Sequence, residues 1–146
     1  MPRVRAILIE NDALALIKRQ REDRTYYVFP GGGVEAGETF EQAVRREVFE
    51  ELGLRVKVVC QVARVDYRLD SHYFYLCQRL DGEFGSGCGP EFGRYPASRG
   101  TYTPLWLPVK DFRGHLVVPV PIAQLVQNSV KSRWPFHPVW IDLTES

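Results

Sequence analysis

Residues 30–54 read PGGGVEAGETFEQAVRREVFEELGL, and this stretch decides the fold. Three consecutive glycines, Gly31 to Gly33, follow the aromatic and β-branched run Tyr26-Tyr27-Val28-Phe29. A strand therefore ends in a turn whose backbone angles suit glycine. Thr39, with Gln42 three positions on, has the form of a helix capping box. Good helix formers follow from Phe40 to Leu52, and Gly53 is a natural stop. The unit reads as strand, glycine loop, helix.

At about 100° per residue, Phe40, Val44, Val48 and Leu52 form one apolar stripe of this helix. Glu47, Glu50 and Glu51 gather on the adjoining face, because spacings of three and four bring side chains together. Like charges at that spacing repel, and partial burial raises the cost of keeping them ionised. Hard divalent cations, which bind carboxylate oxygens, remove the conflict. A solvated acidic helix explains neither the triple glycine nor the joint spacing.

Gly32, Glu38, Arg46-Glu47, Val48, Glu50-Glu51, Leu52-Gly53 and Leu54 reproduce the whole pattern of a Nudix box, at every defined position. The chain thus resembles a Nudix hydrolase of the small MutT-like kind. That resemblance implies an α/β/α fold, with a mixed β-sheet sandwiched between helices. It implies Mg²⁺ as cofactor, with Mn²⁺ as a possible substitute, and water attack on a pyrophosphate bond of a nucleotide substrate. Carried over by position, Glu50 and Glu51 are expected as metal ligands, and Glu47 as a further ligand or the base. Gly32 is expected to offer its carbonyl to the metal. Arg46 would orient a neighbouring glutamate through a bidentate pair, and Glu38 would support the loop–helix junction. Some family members recruit a base from a later loop. Glu91 is the candidate here, with Glu83 and Asp81 as rivals, while Leu105 stands where some relatives carry an acid.

Phosphates call for cations, and Lys18 and Arg19 are the expected substrate-binding pair, with Arg21 beside them. Phe29 is the expected flat partner for a base or sugar, Tyr27, Tyr73, Tyr75 and Trp106 are also eligible, and Tyr95, Tyr102, Trp134 and Phe136 are the alternatives. Relatives cleaving ADP-ribose often carry a proline about fifteen residues past the box. None occurs here between Leu54 and Pro90, which disfavours that class. A nucleoside triphosphate or an oxidised nucleotide is the default expectation. A non-catalytic nucleotide-sensing domain, a dinucleoside polyphosphate hydrolase and an RNA 5′-end hydrolase are the alternatives.

Composition sets the frame. At 146 residues the chain suits one domain, spanning residues 1–146, that can bury a sizeable core. A net charge of +1 provides no global field for nucleic acid or an anionic membrane. The N-terminus enters a strand-like run at once and lacks the apolar core of a signal peptide. The three cysteines, Cys60, Cys77 and Cys88, are scattered and read as reduced thiols. The expectation is a cytoplasmic protein without membrane attachment, monomeric or homodimeric.

Along the chain, Val4–Ile9 (an apolar run interrupted by Arg5) and Leu14–Arg19 read as a hairpin around Glu10-Asn11-Asp12. Arg55–Tyr67 and Tyr73–Arg79 read as paired strands turning at Asp70-Ser71. Residues 81–100 are rich in glycine and read as a long loop. Tyr102–Val109 reads as a short strand and Pro121–Lys131 as a helix with proline at its first turn. The segment 134–143 reads as a short extra strand.

Overall fold

The structure is a computed structural model that describes residues 1–87 and 100–144. In chain order its strands are β1 (Pro2–Glu10), β2 (Ala13–Arg21), β3 (Arg24–Val28), β4 (Gly31–Gly33), β5 (Leu54–Tyr67) and β6 (Asp70–Gly82), followed by β7 (Thr101–Pro108), β8 (Val117–Val118) and β9 (Val139–Asp142). Helix α1 (Phe40–Leu52) lies between β4 and β5, and α2 (Val120–Lys131) between β8 and β9. The sheet runs β8-β3-β2-β1-β6-β5-β9, with β4 branching onto β1 and β7 onto β2. It is mixed: β1 pairs with β6 and β5 with β9 in parallel, whereas β1–β2, β2–β3, β2–β7 and β5–β6 are antiparallel.

Strand alternation explains the layers. On β1, Val4, Ala6 and Leu8 face one side and pack with Ala43, Val44, Val48 and Leu52 of α1. Ile7 faces the other side, in a cluster with Phe74 and with Ile122, Ala123 and Val126 of α2. A sheet with one helix against each face is the α/β/α arrangement that the motif implied. The described residues contain no helix long and apolar enough to cross a membrane.

Helix α1 follows its sequence signals closely. Gln42 N–H donates to Thr39 Oγ1 at 3.1 Å while Thr39 N–H donates to Gln42 Oε1 at 2.8 Å, so both halves of the capping box are formed. Gly53 ends the helix at φ 77°, its N–H donating to the Phe49 carbonyl at 3.0 Å. Of the stripe, Val44, Val48 and Leu52 are fully buried.

Two expectations change. The glycine run is not only a turn: Gly31 to Gly33 form β4, in register with Arg5, Val4 and Arg3 of β1. Gly31 holds φ +152°, and a Cβ there would strike the Val4 carbonyl, so pairing this tight excludes a side chain. The β5–β6 turn lies at Arg68-Leu69, before the expected Asp70-Ser71, because Tyr67 already pairs with Asp70 and Arg68 takes the positive φ of 55°. β6 also runs on to Gly82, which shortens the expected loop at its start. Residues 88–99 of that loop lie outside the described residues.

Leu52→Ala removes a fully buried side chain that α1 presents to the sheet. It should destabilise the fold by about 2–5 kcal/mol, read as a lower urea midpoint with an unchanged denaturant slope.

Candidate active site

The site forms where β4 lies against the last turns of α1. Gly31 N–H donates to Glu51 Oε2 at 2.8 Å, which ties the glycine strand to the helix. Glu51 is 8 % exposed, one of the few buried polar residues. A Cβ on Gly32 would lie 2.5 Å from Glu47 Oε1, so the glycine backbone and this carboxylate are in direct apposition. Glu47 and Glu51, four residues apart, thus face the same glycines.

Arg46 holds the neighbouring acids. Its Nε donates to Glu38 Oε2 at 2.7 Å and its Nη2 to Glu38 Oε1 at 3.0 Å, a bidentate pair. Nη2 also donates to the Gly33 carbonyl at 2.9 Å. Nη1 reaches Glu47 Oε1 at 3.0 Å and Glu50 Oε2 at 3.3 Å. The pair with Glu38 is the largest influence raising the Arg46 pKa, and the same hydrogen bond holds the Glu38 carboxyl below its ordinary range. Arg46 thus makes a bidentate pair with a glutamate, and that glutamate is Glu38.

Glu47, Glu51 and Gly31 to Gly33 line a cleft of about 310 Å³. Its other walls include Arg3, Arg5, Arg19 and Tyr102. Acids on one side and guanidinium groups on the other suit a ligand with both metal-binding and anionic character. Arg19 places its guanidinium carbon 3.8 Å from the centre of the Tyr102 ring, a stacked arrangement.

The expected residues do not all converge. Glu50 lies with Arg46 and is not part of the cleft wall, and its side chain is 34 % exposed. Lys18 sits between Ile17 and Arg19, so alternation turns it to the opposite face of β2, away from the cleft that those two neighbours line. Phe29 is 1 % exposed and packs edge-to-face on Phe74 with centroids 5.3 Å apart. Its ring belongs to the core at the cleft floor rather than to a free stacking surface. Glu91 lies outside the described residues, as does Cys88. Of the rival acids, Asp81 is committed to Arg55 through two hydrogen bonds of 2.6 Å.

Arg3 and Arg5 line the cleft although sequence reasoning left them out, and Tyr102, which also lines it, was placed only among alternatives. The one signal for Arg5 was a charge interrupting an apolar strand run. Cys77, by contrast, is buried, and burial pushes its thiol up to about 12, which leaves it inert as a nucleophile at neutral pH.

The donor set has the chemistry of a hard cation site: two half-enclosed carboxylates, Glu47 and Glu51, against glycine backbone that no side chain shields. Among the described residues no three Asp, Glu, His or Cys side chains converge into a preformed cage. Glu50 would have to leave Arg46 to join one.

The family model of the NUDIX domain matches residues 1–124. Among curated proteins, an RNA pyrophosphohydrolase of Francisella tularensis subsp. mediasiatica is 45 % identical over 58 residues, covering 40 % of this chain and 37 % of the relative. The nucleoside triphosphatase NudI of Escherichia coli is 50 % identical over 52 residues, covering 32 % of this chain and 36 % of the relative. The aligned segment is thus little more than a third of either relative. Among solved structures, an ADP-ribose pyrophosphatase from Streptococcus suis superposes with a TM-score of 0.67 at 20 % identity, over 95 % of this chain and 97 % of that one. At that identity the likeness is one of fold.

Glu38→Gln should separate the pH-dependent part of the Arg46 clamp. A carboxyl whose folded pKa is depressed stabilises the fold above its unfolded value, ordinarily 4.5, and loses that contribution as pH falls through the folded pKa. Urea unfolding should therefore show wild type ahead of the variant at pH 7, with the gap closing below pH about 4. With the motif assembled in space and the family model covering most of the sequence, the chain belongs to the Nudix family.

Proposed function

We propose that this protein hydrolyses a phosphoanhydride bond in a nucleoside di- or triphosphate derivative, with Mg²⁺ as cofactor and Mn²⁺ able to replace it. The observation that carries this reading is the shared cleft of Glu47, Glu51 and the three glycines, facing Arg3, Arg5 and Arg19. Its acids suit a hard divalent cation and its guanidinium groups suit phosphate oxygens. The names of the curated relatives, a pyrophosphohydrolase and a nucleoside triphosphatase, agree with that chemistry.

Glu47, Glu51 and the Gly32 backbone would hold the metal, with Glu50 joining them on release from Arg46. When bound, a divalent cation polarises phosphate oxygens and lowers the pKa of a nearby water. The remaining work belongs to the chain. Arg46 keeps the Glu47 carboxylate oriented, and the Gly31 N–H holds Glu51 at 2.8 Å. Arg19, stacked on Tyr102, would donate to phosphate oxygens and offset the charge of the leaving group. The attacking water would lose its proton to a carboxylate, with Glu47 of the cleft as one candidate and Glu91, outside the described residues, as the other.

The organic part of the substrate also has a place. A second cavity of about 620 Å³ adjoins the cleft, sharing Arg5, Val28 and Phe29 with it. Phe74, Leu116, Val118 and Pro119 make its walls largely apolar, which suits a flat base or a similar group. We assign the protein to the cytoplasm on the same reading, as an enzyme of soluble nucleotide metabolism.

A panel of nucleoside triphosphates, oxidised nucleotides, nucleoside diphosphate sugars, dinucleoside polyphosphates and triphosphorylated RNA, each with Mg²⁺ or Mn²⁺, tests the reading. Turnover of at least one nucleotide is expected, abolished by EDTA. Glu51→Gln should lower kcat by about a hundredfold or more. If no substrate turns over, and if the variant binds metal and nucleotide as wild type does, the protein is a nucleotide-binding module instead.

A further inference from the structure

β1 and β2 start as a hairpin but stay paired only at Ile9–Leu14 and Glu10–Ala13. Beyond that point β1 takes β4 as its partner, from Arg5 to Arg3, while β2 continues with β3 and β7. The sheet therefore opens into a wedge between β1/β4 and β2/β3. The acidic cleft and the larger apolar cavity meet there, and Arg5, Val28 and Phe29 line both. Arg5 is the charged residue common to the two.

Its guanidinium is poorly provided for. Arg5 is partly buried, and its side-chain hydrogen bond among the described residues, from Nη1 at 3.1 Å, goes to the neutral Phe29 carbonyl. Burial is the largest influence on it, ahead of repulsion from Arg3, and together they lower its pKa despite the nearby Glu51, Glu47 and Asp70. A cation so enclosed is costly unless an anion joins it. His72, in register with Arg3 on the neighbouring β6, shares the environment. Burial first, and then Arg5 and Arg3, push its imidazole down to about 4. The neck between the cavities thus holds the Arg5 guanidinium, with Arg3 beside it in the cleft.

We propose that Arg5 binds, at this neck, the phosphate directly attached to the organic group of the substrate. The inference rests on the reading that polyphosphate lies in the acidic cleft and the organic group in the apolar cavity. A substrate spanning both must pass Arg5 at the junction, where the first phosphate meets the organic part. The planar guanidinium can give two parallel hydrogen bonds to such a phosphate while its Nη1 stays anchored on Phe29. Arg5 thereby makes the protein select ligands whose anionic group sits immediately beside the flat group. A neutral spacer at that point would leave the guanidinium unpaired.

The test uses the whole 146-residue chain in EDTA, so that no metal can bind the probe. Inorganic phosphate, pyrophosphate, UMP and AMP are titrated while the His72 imidazole is followed by NMR. In wild type a saturable anion response is expected, with the His72 pKa moving up from its depressed value. In Arg5→Gln the His72 pKa should already be higher without ligand, and affinity for the anions should fall about tenfold or more. Arg5→Lys, which keeps the charge but not the fork, should fall between the two, and it carries the comparison if the glutamine variant does not fold. On any substrate the enzyme turns over, KM should rise more than kcat falls. A wild-type His72 that ignores every anion overturns the proposal, as does unchanged anion affinity in the folded variants. Since the metal-free titration involves no turnover, it can succeed where the hydrolysis panel fails, and fail where the panel succeeds.

Discussion

Arg46 and the carboxylates around it are the constraint on which the rest of the site depends. One guanidinium joins Glu38 at the end of the glycine loop, the Gly33 carbonyl on β4, and Glu47 and Glu50 on its own helix. Without a cation among them, acids at these spacings would repel one another and Glu38 would lose its pairing to the helix. The Gly31–Glu51 hydrogen bond then closes the other side. Loop, strand and helix become one rigid unit, and Glu47 and Glu51 are held against backbone that carries no side chains. Such rigidity suits chemistry whose transition state is stabilised by groups already in place.

The second organising feature is the early separation of β1 from β2. A hairpin paired along its whole length would leave no wedge, and the two cavities would not communicate. β4 makes the separation possible, because Gly31 lies against Arg5 where a Cβ would collide with the Val4 carbonyl. The same glycine run that sets bare backbone against Glu47 and Glu51 therefore also opens the sheet. The carboxylate cleft and the opening of the sheet share one structural cause, so much of the cleft lies within a short segment.

Much of the fold was legible in the chain. The hairpin of β1 and β2, the long β5–β6 pair, β7 and both helices follow from period-2 and period-3.6 patterning and from capping signals that are local in sequence. The joint spacing of Glu38, Arg46, Glu47 and Glu51 was equally readable, since a helix converts spacing directly into a shared face. The weaker points were those where locality fails. Glu50 was grouped with its neighbours by spacing, but its contact with Arg46 draws it aside. Lys18 and Arg19 were treated together, although alternation on β2 sends them to opposite faces. Phe29 looked like a stacking partner because aromatic character says nothing about whether a ring meets Phe74 or a ligand.

The sequence by itself determined the acidic helix, its caps, the glycine strand beside it and hence the family and the class of chemistry. These are local matters, governed by the nature and spacing of a few adjacent residues. Only the tertiary structure decided which cations face the acids. Arg3 and Arg5 enter the cleft because β1 leaves β2 for β4, a choice made between segments more than twenty residues apart. Only the fold, likewise, set an apolar cavity behind Arg5, by bringing β6, β8 and the start of α2 together across the sheet. Charge and periodicity mark each of those residues as exposed, buried or helical, but their meeting depends on long-range pairing that no local pattern encodes.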